Sequence, residues 1–196
     1  PVQYVIRPKS DRNHDYRGYG GLVAAGVLKK GDEVMVLPSG LTSTVTGVDL
    51  AGTEVEEAFP PMSVTLRLAD DLDISRGDMI CREHNQPTVS QDVDAMVVWM
   101  TQSSRLRPGA KYTVKHTTRT ARALVKDLQY RLDVNTLHRD ESASELTLNE
   151  IGRVSLRMTQ PLFIDEYRRN RTTGSFILMD EGTGTTVAGG MIVGSV

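Results

Sequence analysis

The chain has 196 residues, 39% apolar and 24% charged, the balance of an ordinary globule with one large or two small domains. A net charge of −2 excludes a molecule drawn as a whole to nucleic acid or to an anionic membrane. Its single cysteine, Cys81, excludes an internal disulfide and fits the reducing cytoplasm, and no apolar run approaches the roughly 20 residues of a helical membrane span.

Val2–Ile6 reads as a strand, entered directly from Pro1 with no basic-then-apolar leader. A start without methionine, already inside an element, is expected of a piece cut from a longer protein. Residues 7–17 carry Pro8, Ser10, Asp11, Asn13 and Asp15 and read as a loop. Apolar runs at 22–28 and 34–37 flank Lys29-Lys30-Gly31-Asp32. Gly31 adopts positive φ at no steric cost and Asp32 can bond its own backbone, so a β-hairpin stopped by Pro38 is expected. Leu41–Leu50 is rich in Thr and Val, with Gly47 placed for a bulge. After a turn at Ala51-Gly52-Thr53, Met62, Val64, Leu66 and Leu68 alternate with Ser63, Thr65 and Arg67 as a strand with one wet face. Residues 70–73 form an acidic loop, Gly77-Asp78 another turn, and Met79-Ile80-Cys81 a strand. Short strands with a turn about every 8–12 residues make a small barrel or sandwich.

The polar Glu83-His84-Asn85-Gln86-Pro87 breaks this pattern and sets a domain boundary, giving domains at 1–86 and 87–196. Ala95-Met96-Val97-Val98-Trp99-Met100 is a continuous apolar run that fits a strand buried on both faces or a short helix. Leu106-Arg107-Pro108-Gly109 turns, and 112–116 is a strand. Within 121–132, Ala121, Leu124, Val125, Leu128 and Leu132 keep helical spacing, whereas Leu128, Tyr130 and Leu132 alternate. Local signals leave helix and strand open there. Val154, Leu156 and Met158 alternate as a strand, 161–169 is expected to form one short helix, and strands at 175–179 and 185–193 close the set. Domains of this size bury only about 60–65% of the surface that their unfolded chains expose, so each is expected to pack on a neighbour.

The chemistry of the side chains points away from catalysis. Gly26-x-x-x-x-Gly31 has the glycine spacing of a phosphate-binding loop, but Asp32-Glu33 follow where Lys and Ser/Thr are required, and two carboxylates repel phosphate. Cys81-x-x-His84 is one ligand pair where structural zinc takes four ligands. His14, His116 and His138 stand apart and read as surface histidines. No Gly-x-Ser-x-Gly elbow occurs, and the lone Cys81 reads as inert and buried. Hence no catalytic, nucleotide or metal residue is assigned.

Charge patterning says more. Arg105, Arg107, Lys111, Lys115, Arg119, Arg122, Lys126 and Arg131 are opposed locally only by Asp127, while residues 49–73 are acidic except for Arg67. Such a basic stretch can bind phosphate or RNA. Aromatic platforms are scarce, which favours a solvated face or a basic domain lying against an acidic one. Arg168-Arg169-Asn170-Arg171, beside Tyr167 in an expected loop, is a candidate contact surface.

Two segments resemble translational GTPases of the elongation-factor-Tu superfamily. Arg17-Gly18-Tyr19-Gly20-Gly21-Leu22-Val23-Ala24-Ala25-Gly26-Val27-Leu28-Lys29-Lys30-Gly31-Asp32-Glu33-Val34 resembles their second domain, and Thr173-Gly174-Ser175-Phe176-Ile177-Leu178 with Thr186-Val187-Ala188-Gly189-Gly190-Met191-Ile192 resembles the closing strands of their third. Further stretches narrow it: Ile74-Ser75-Arg76-Gly77-Asp78, Tyr130-Arg131-Leu132-Asp133-Val134-Asn135-Thr136-Leu137, Leu148-Asn149-Glu150-Ile151-Gly152-Arg153-Val154 and Asn170-Arg171-Thr172-Thr173-Gly174-Ser175-Phe176. With Met96-Val97-Val98-Trp99-Met100, these resemble domains II and III of the GTPase subunit (subunit 1) of bacterial sulfate adenylyltransferase.

That resemblance implies an all-β chain of two antiparallel β-barrels, with 121–132 a strand. It implies a parent that couples GTP hydrolysis to making adenosine 5′-phosphosulfate and pyrophosphate from ATP and sulfate. It implies GTP and Mg in an N-terminal GTPase domain outside this chain, and no cofactor in the chain itself. The implied partners are that domain, the catalytic subunit of sulfate adenylyltransferase and, in some members, a C-terminal adenylylsulfate kinase domain; neither membrane nor DNA is among them. The chain is then an inactive scaffold, with contact loops at 17–21 and 167–173 and interface candidates Arg17, Tyr19, Tyr167, Arg168, Asn170 and Arg171. The competing readings are an RNA- or tRNA-binding barrel of a translation factor and a small enzyme on a β-scaffold.

Overall fold

The computed structural model describes residues 1–8 and 16–195; most of the loop expected at 7–17, with His14, lies outside the described residues. The chain forms two compact units, Pro1–Gln86 and Pro87–Val196. Among the described residues every regular element is a strand. None is long and helical enough to cross a membrane as a helix.

The first unit contains β1 (Val2–Ile6), β2 (Gly18–Leu22), β3 (Leu28–Lys29), β4 (Glu33–Leu37), β5 (Leu41–Leu50), β6 (Thr53–Val55), β7 (Glu57–Ala58), β8 (Ser63–Leu68) and β9 (Met79–Arg82). Hydrogen bonding runs β1-β2-β8-β5-β4-β9, with β6 on β5 and β3 on β7. The path is joined end to end where Val2 donates to Asp78 O at 2.8 Å and Gly77 donates to Val2 O at 3.0 Å. Alternation along β4, β5 and β8 turns Val34, Val45, Val64 and Leu66 inward. The pairing of β5 with β8 shifts between Val45 and Gly47, the bulge expected at that glycine. A Cβ on Gly47 would stand 2.2 Å from Arg67 Nη2, so the bulge leaves room for a guanidinium that Asp49 and Glu54 hold at 3.1 and 2.6 Å.

The expected hairpin across Gly31 is corrected. Its turn is real: Gly31 has φ +92°, and the Lys29 amide donates to Asp32 Oδ2 at 2.9 Å. Its flanks do not pair with each other, because β3 joins β7 and β4 lies between β5 and β9. The turn docks on β5 instead, with Gly31 N to Val45 O at 2.8 Å and Val45 N to Asp32 O at 2.9 Å. Turn chemistry is local, whereas strand partnership is decided by longer-range bonds.

The second unit contains β10 (Thr88–Trp99), β11 (Lys111–His116), β12 (Arg119–Leu132), β13 (Arg139–Asp140), β14 (Ile151–Ile164), β15 (Ser175–Met179) and β16 (Thr186–Ser195). The order β11-β15-β16-β10-β14-β12 closes on itself through β11–β12, making a six-stranded antiparallel barrel with β13 paired to β12. Residues 95–100 belong largely to β10, with Ala95, Val97 and Trp99 inside and the residues between them half-buried. Residues 121–132 are strand. Ala121, Ala123 and Val125 point inward, the register slips between Val125 and Asp127, and the next inward residue is Leu128. That extra residue produces the helix-like spacing.

The helix expected at 161–169 does not form. β14 runs on through Ile164 with Leu162, Phe163 and Ile164 buried. Pro161 falls where pairing with β10 shifts, a place where a strand tolerates proline. One end of the barrel is filled by Leu106 and Leu146, both fully buried and bridged to each other. Trp99 donates from Nε1 to Ser104 O at 2.8 Å and meets Tyr112 edge-on at 5.6 Å.

Leu106→Ala and Leu146→Ala should each cost about 2–5 kcal/mol, read as a lower urea midpoint in Trp99 fluorescence. Unmoved midpoints in both would contradict this packing.

Candidate functional site

In the first unit, Arg17 sits immediately before β2, so 17–21 is mostly strand where a loop was expected. Arg17 donates to Leu72 O at 3.0 Å and pairs with Asp71. Tyr19 donates its hydroxyl to the same carbonyl at 3.1 Å. It is only 2% exposed and packs with Val2, Val36 and Ile74, and burial raises its phenol pKa. Both side chains therefore pin the acidic 70–73 loop from within. The phosphate-loop near-match is also engaged internally, since the amides of Gly31 and Asp32 donate to Val45 O and Lys29 O at 2.8 and 3.2 Å. Cys81 is buried, donates to Met35 O at 3.7 Å, and has its thiol pushed up to about 11 by burial, the reverse of a reactive thiol or metal ligand.

Most of the basic stretch of the second unit is matched inside that unit. Arg105 and Arg107 share Glu145, Arg122 meets Glu181 at 3.2 Å, and Lys126 meets Asp92 at 3.6 Å. Arg131 holds Asp140 and Glu150 at 2.9 and 2.8 Å. On the outer wall Asp94 accepts from Ser155, Gln129 and Arg153 at 2.7, 3.1 and 3.0 Å. Burial would raise its pKa, but these bonds prevail and hold it below the usual carboxylate range.

The 165–174 segment is locked to the barrel. Tyr167 N donates to Ile192 O at 2.9 Å, Gly174 N to Asn170 O at 2.8 Å, and Ile192 N to Gly174 O at 2.7 Å. Thr173 Oγ1 donates to Asp165 at 2.6 Å. His116 is 1% exposed, which corrects its reading as a surface histidine, and its Nε2 lies 2.7 Å from Thr173 O. With Nε2–H donating there, Nδ1 is buried without a partner. Burial is the largest influence and lowers the His116 pKa, against the raising effects of Thr173 and Asp165. Gly174 is required by close approach: a Cβ would come within 2.4 Å of Tyr167 Cα and 2.5 Å of Asn170 O.

Beside this segment lies a groove of about 690 Å³. It brings Tyr167 and Arg171 together with Lys115, Ser175, Ile177 and Met191. Arg171 lies over the Tyr167 ring at 5.9 Å. The other candidates are engaged locally. Arg168 pairs with Glu166 at 2.7 Å, and Asn170 Oδ1 accepts from the Thr172 amide at 2.9 Å. Sequence placed Lys115 only in the basic stretch and did not single out Met191, because strand register across β11, β15 and β16 is what gathers them.

The model for the GTP-eEF1A C-terminal domain-like family matches residues 92–193. The bifunctional enzyme CysN/CysC of Mycobacterium tuberculosis is 59% identical over 196 residues, covering 100% of this chain and 32% of that protein. Sulfate adenylyltransferase subunit 1 of Bacteroides fragilis is 44% identical over 196 residues, covering 100% of this chain and 40% of that protein. The chain thus spans between about a third and two fifths of the length of these curated relatives. A structure of Sup35 complexed with GDP superposes at a TM-score of 0.87 and 23% identity, covering 100% of this chain and 47% of that one; it carries the fold alone. The two-barrel resemblance read from the sequence is borne out.

Gly174→Ala should cost about 1–3 kcal/mol, since backbone on both sides must yield, and should lower the thermal midpoint; an unchanged midpoint would contradict the close approach. For His116, the folded pKa lies below the ordinary 6.5 of the unfolded chain. Its contribution to stability is complete above about pH 6.5 and is lost as pH falls toward the folded value, by at most about 1.4 kcal/mol per pH unit. His116→Gln should flatten the fall in urea stability between pH 7 and 5, and parallel profiles would refute this.

Proposed function

The chain belongs to the GTP-eEF1A C-terminal domain-like family, and from that premise we propose that it is the scaffold of a GTP-dependent regulatory subunit of sulfate adenylyltransferase. The observation that carries this reading is the end-to-end similarity to a CysN/CysC enzyme, which covers both units. On this reading the parent works in the cytoplasm and serves the conversion of ATP and sulfate to adenosine 5′-phosphosulfate and pyrophosphate. GTP and Mg belong to an N-terminal GTPase domain, adenylyl transfer to a separate catalytic subunit, and a C-terminal adenylylsulfate kinase domain to fused members.

The chain's own part is mechanical. The ring strands of its second barrel are held by backbone bonds on both edges and its charges are largely matched internally, which suits a part that keeps its shape while others change. Coupling between GTP state and catalysis is then as large as the difference in contacts that the barrels make in the two states. Contacts of this kind are carried by ordered segments on a rigid frame, and the 167–173 segment has that character.

The test is gel filtration and pull-down of the catalytic subunit of sulfate adenylyltransferase, using this chain alone and joined to its GTPase domain. A complex should form, the chain alone should turn over neither GTP nor ATP, and Arg171→Glu should weaken binding at least tenfold. Arg17→Glu should act differently, lowering stability by loss of the Leu72 and Asp71 contacts. Nucleotide turnover by the chain alone, or tRNA binding whose log K falls linearly with log salt, would replace this reading.

A further inference from the structure

The outward side of the second barrel is unusual in one sector. Register sets Lys115, Ile177, Gly189, Val98 and Ile151 in one row across β11, β15, β16, β10 and β14. A second row runs Ser175, Met191, Met96, Arg153. The apolar members are half-buried and point away from the core, since their strand neighbours Val97, Trp99, Phe176, Leu178 and Ile192 fill the interior. Barrel exteriors in water are normally polar at such positions. Gly189 bears no side chain between Ile177 and Val98, the Met100 methyl stands 3.0 Å from where its Cβ would be, and the groove runs along this row.

The rim is charged in one sense. Lys115 and Arg171 both line the groove. Neither has an ion pair among the described residues, unlike Arg105, Arg107, Arg122, Lys126 and Arg131 on the same barrel. An apolar floor that includes Met191, with two unmatched cations at its edge, is the complement of an apolar segment flanked by carboxylates. A nucleic-acid strand would need stacking platforms, and Tyr167 is the one aromatic side chain exposed to this groove besides the buried Phe176.

The geometry points to a docking seat on the second barrel for a short polypeptide segment of a partner protein, with aliphatic or aromatic anchors flanked by Asp or Glu. This rests on the reading of the chain as a scaffold and names the chemistry of what one of its faces holds. The anchor side chains lie in the groove among Val98, Ile177 and Met191. The flanking carboxylates accept from Lys115 and Arg171, with Ser175 Oγ as a further polar contact.

The test uses the full 196-residue chain, immobilised and panned against a phage-displayed library of random 12-residue peptides. Enriched peptides should carry an apolar pair flanked by acids. Their Kd, measured by fluorescence anisotropy, should rise at least tenfold in the double variant Lys115→Glu, Arg171→Glu and in Met191→Lys, each with unchanged circular dichroism. A 12-nucleotide oligouridylate should not compete. Enrichment without acidic bias, binding indifferent to both variants, or displacement by the oligouridylate would overturn the inference. If the catalytic subunit binds this chain but no acidic peptides are enriched, the seat is refuted while the scaffold reading stands. If acidic peptides bind as described but the catalytic subunit does not, the scaffold reading fails and the seat stands.

Discussion

The second barrel depends on one constraint: β11 must be hydrogen-bonded along both edges, to β12 on one side and β15 on the other. A six-stranded antiparallel ring has no free edge, so every ring strand has both neighbours fixed and each side chain is committed inward or outward. The slips in β12 between Val125 and Asp127 and between Leu128 and Tyr130 adjust the longest strands to that closure. Once the ring is set, the interior is occupied by Trp99, Leu156 and their neighbours. Only the outer wall, the ends and the connecting segments remain for function.

The same closure explains the behaviour of the 165–174 segment. It follows β14 and precedes β15, yet it is bonded to β16 through Tyr167 and Ile192 and to β11 through His116 and Thr173. A connecting segment tied to two further strands behaves as part of the wall. That is why its exposed cation, Arg171, holds a defined position beside Tyr167 and Lys115. The charges elsewhere follow a simpler rule. Arginines on one strand meet carboxylates from the next, which leaves few of them to attract a polyanion.

Most of the architecture was legible in the sequence, because alternation survives wherever one face of a strand is wet. β8 and β14 announce themselves this way. Turn positions were legible too, but Gly31 and Asp32 specify a turn without specifying which strands meet beyond it. The spacing of Ala121, Val125 and Leu128 mixed two periods because a bulge adds a residue, and a bulge has no signature of its own. Tyr19 and His116 were read as surface groups since polar side chains usually are; burial is permitted here because Leu72 O and Thr173 O lie within bonding reach. Of the groove, Tyr167 and Arg171 were found from charge and local chemistry. Lys115, Gly189 and Met191 are far apart in sequence and meet only through register, which no local pattern encodes.

The account makes the barrel a stiff frame whose outer wall takes part in binding while its interior does not respond. Amide hydrogen exchange of this chain, free and saturated with the catalytic subunit of sulfate adenylyltransferase, tests that most directly. Added protection should be confined to the outer-wall segments around residues 98, 111–117, 167–177 and 189–191, with the amides of β12 and β14 exchanging at unchanged rates. Altered exchange throughout β12 and β14, or no added protection anywhere in the second unit, would contradict it.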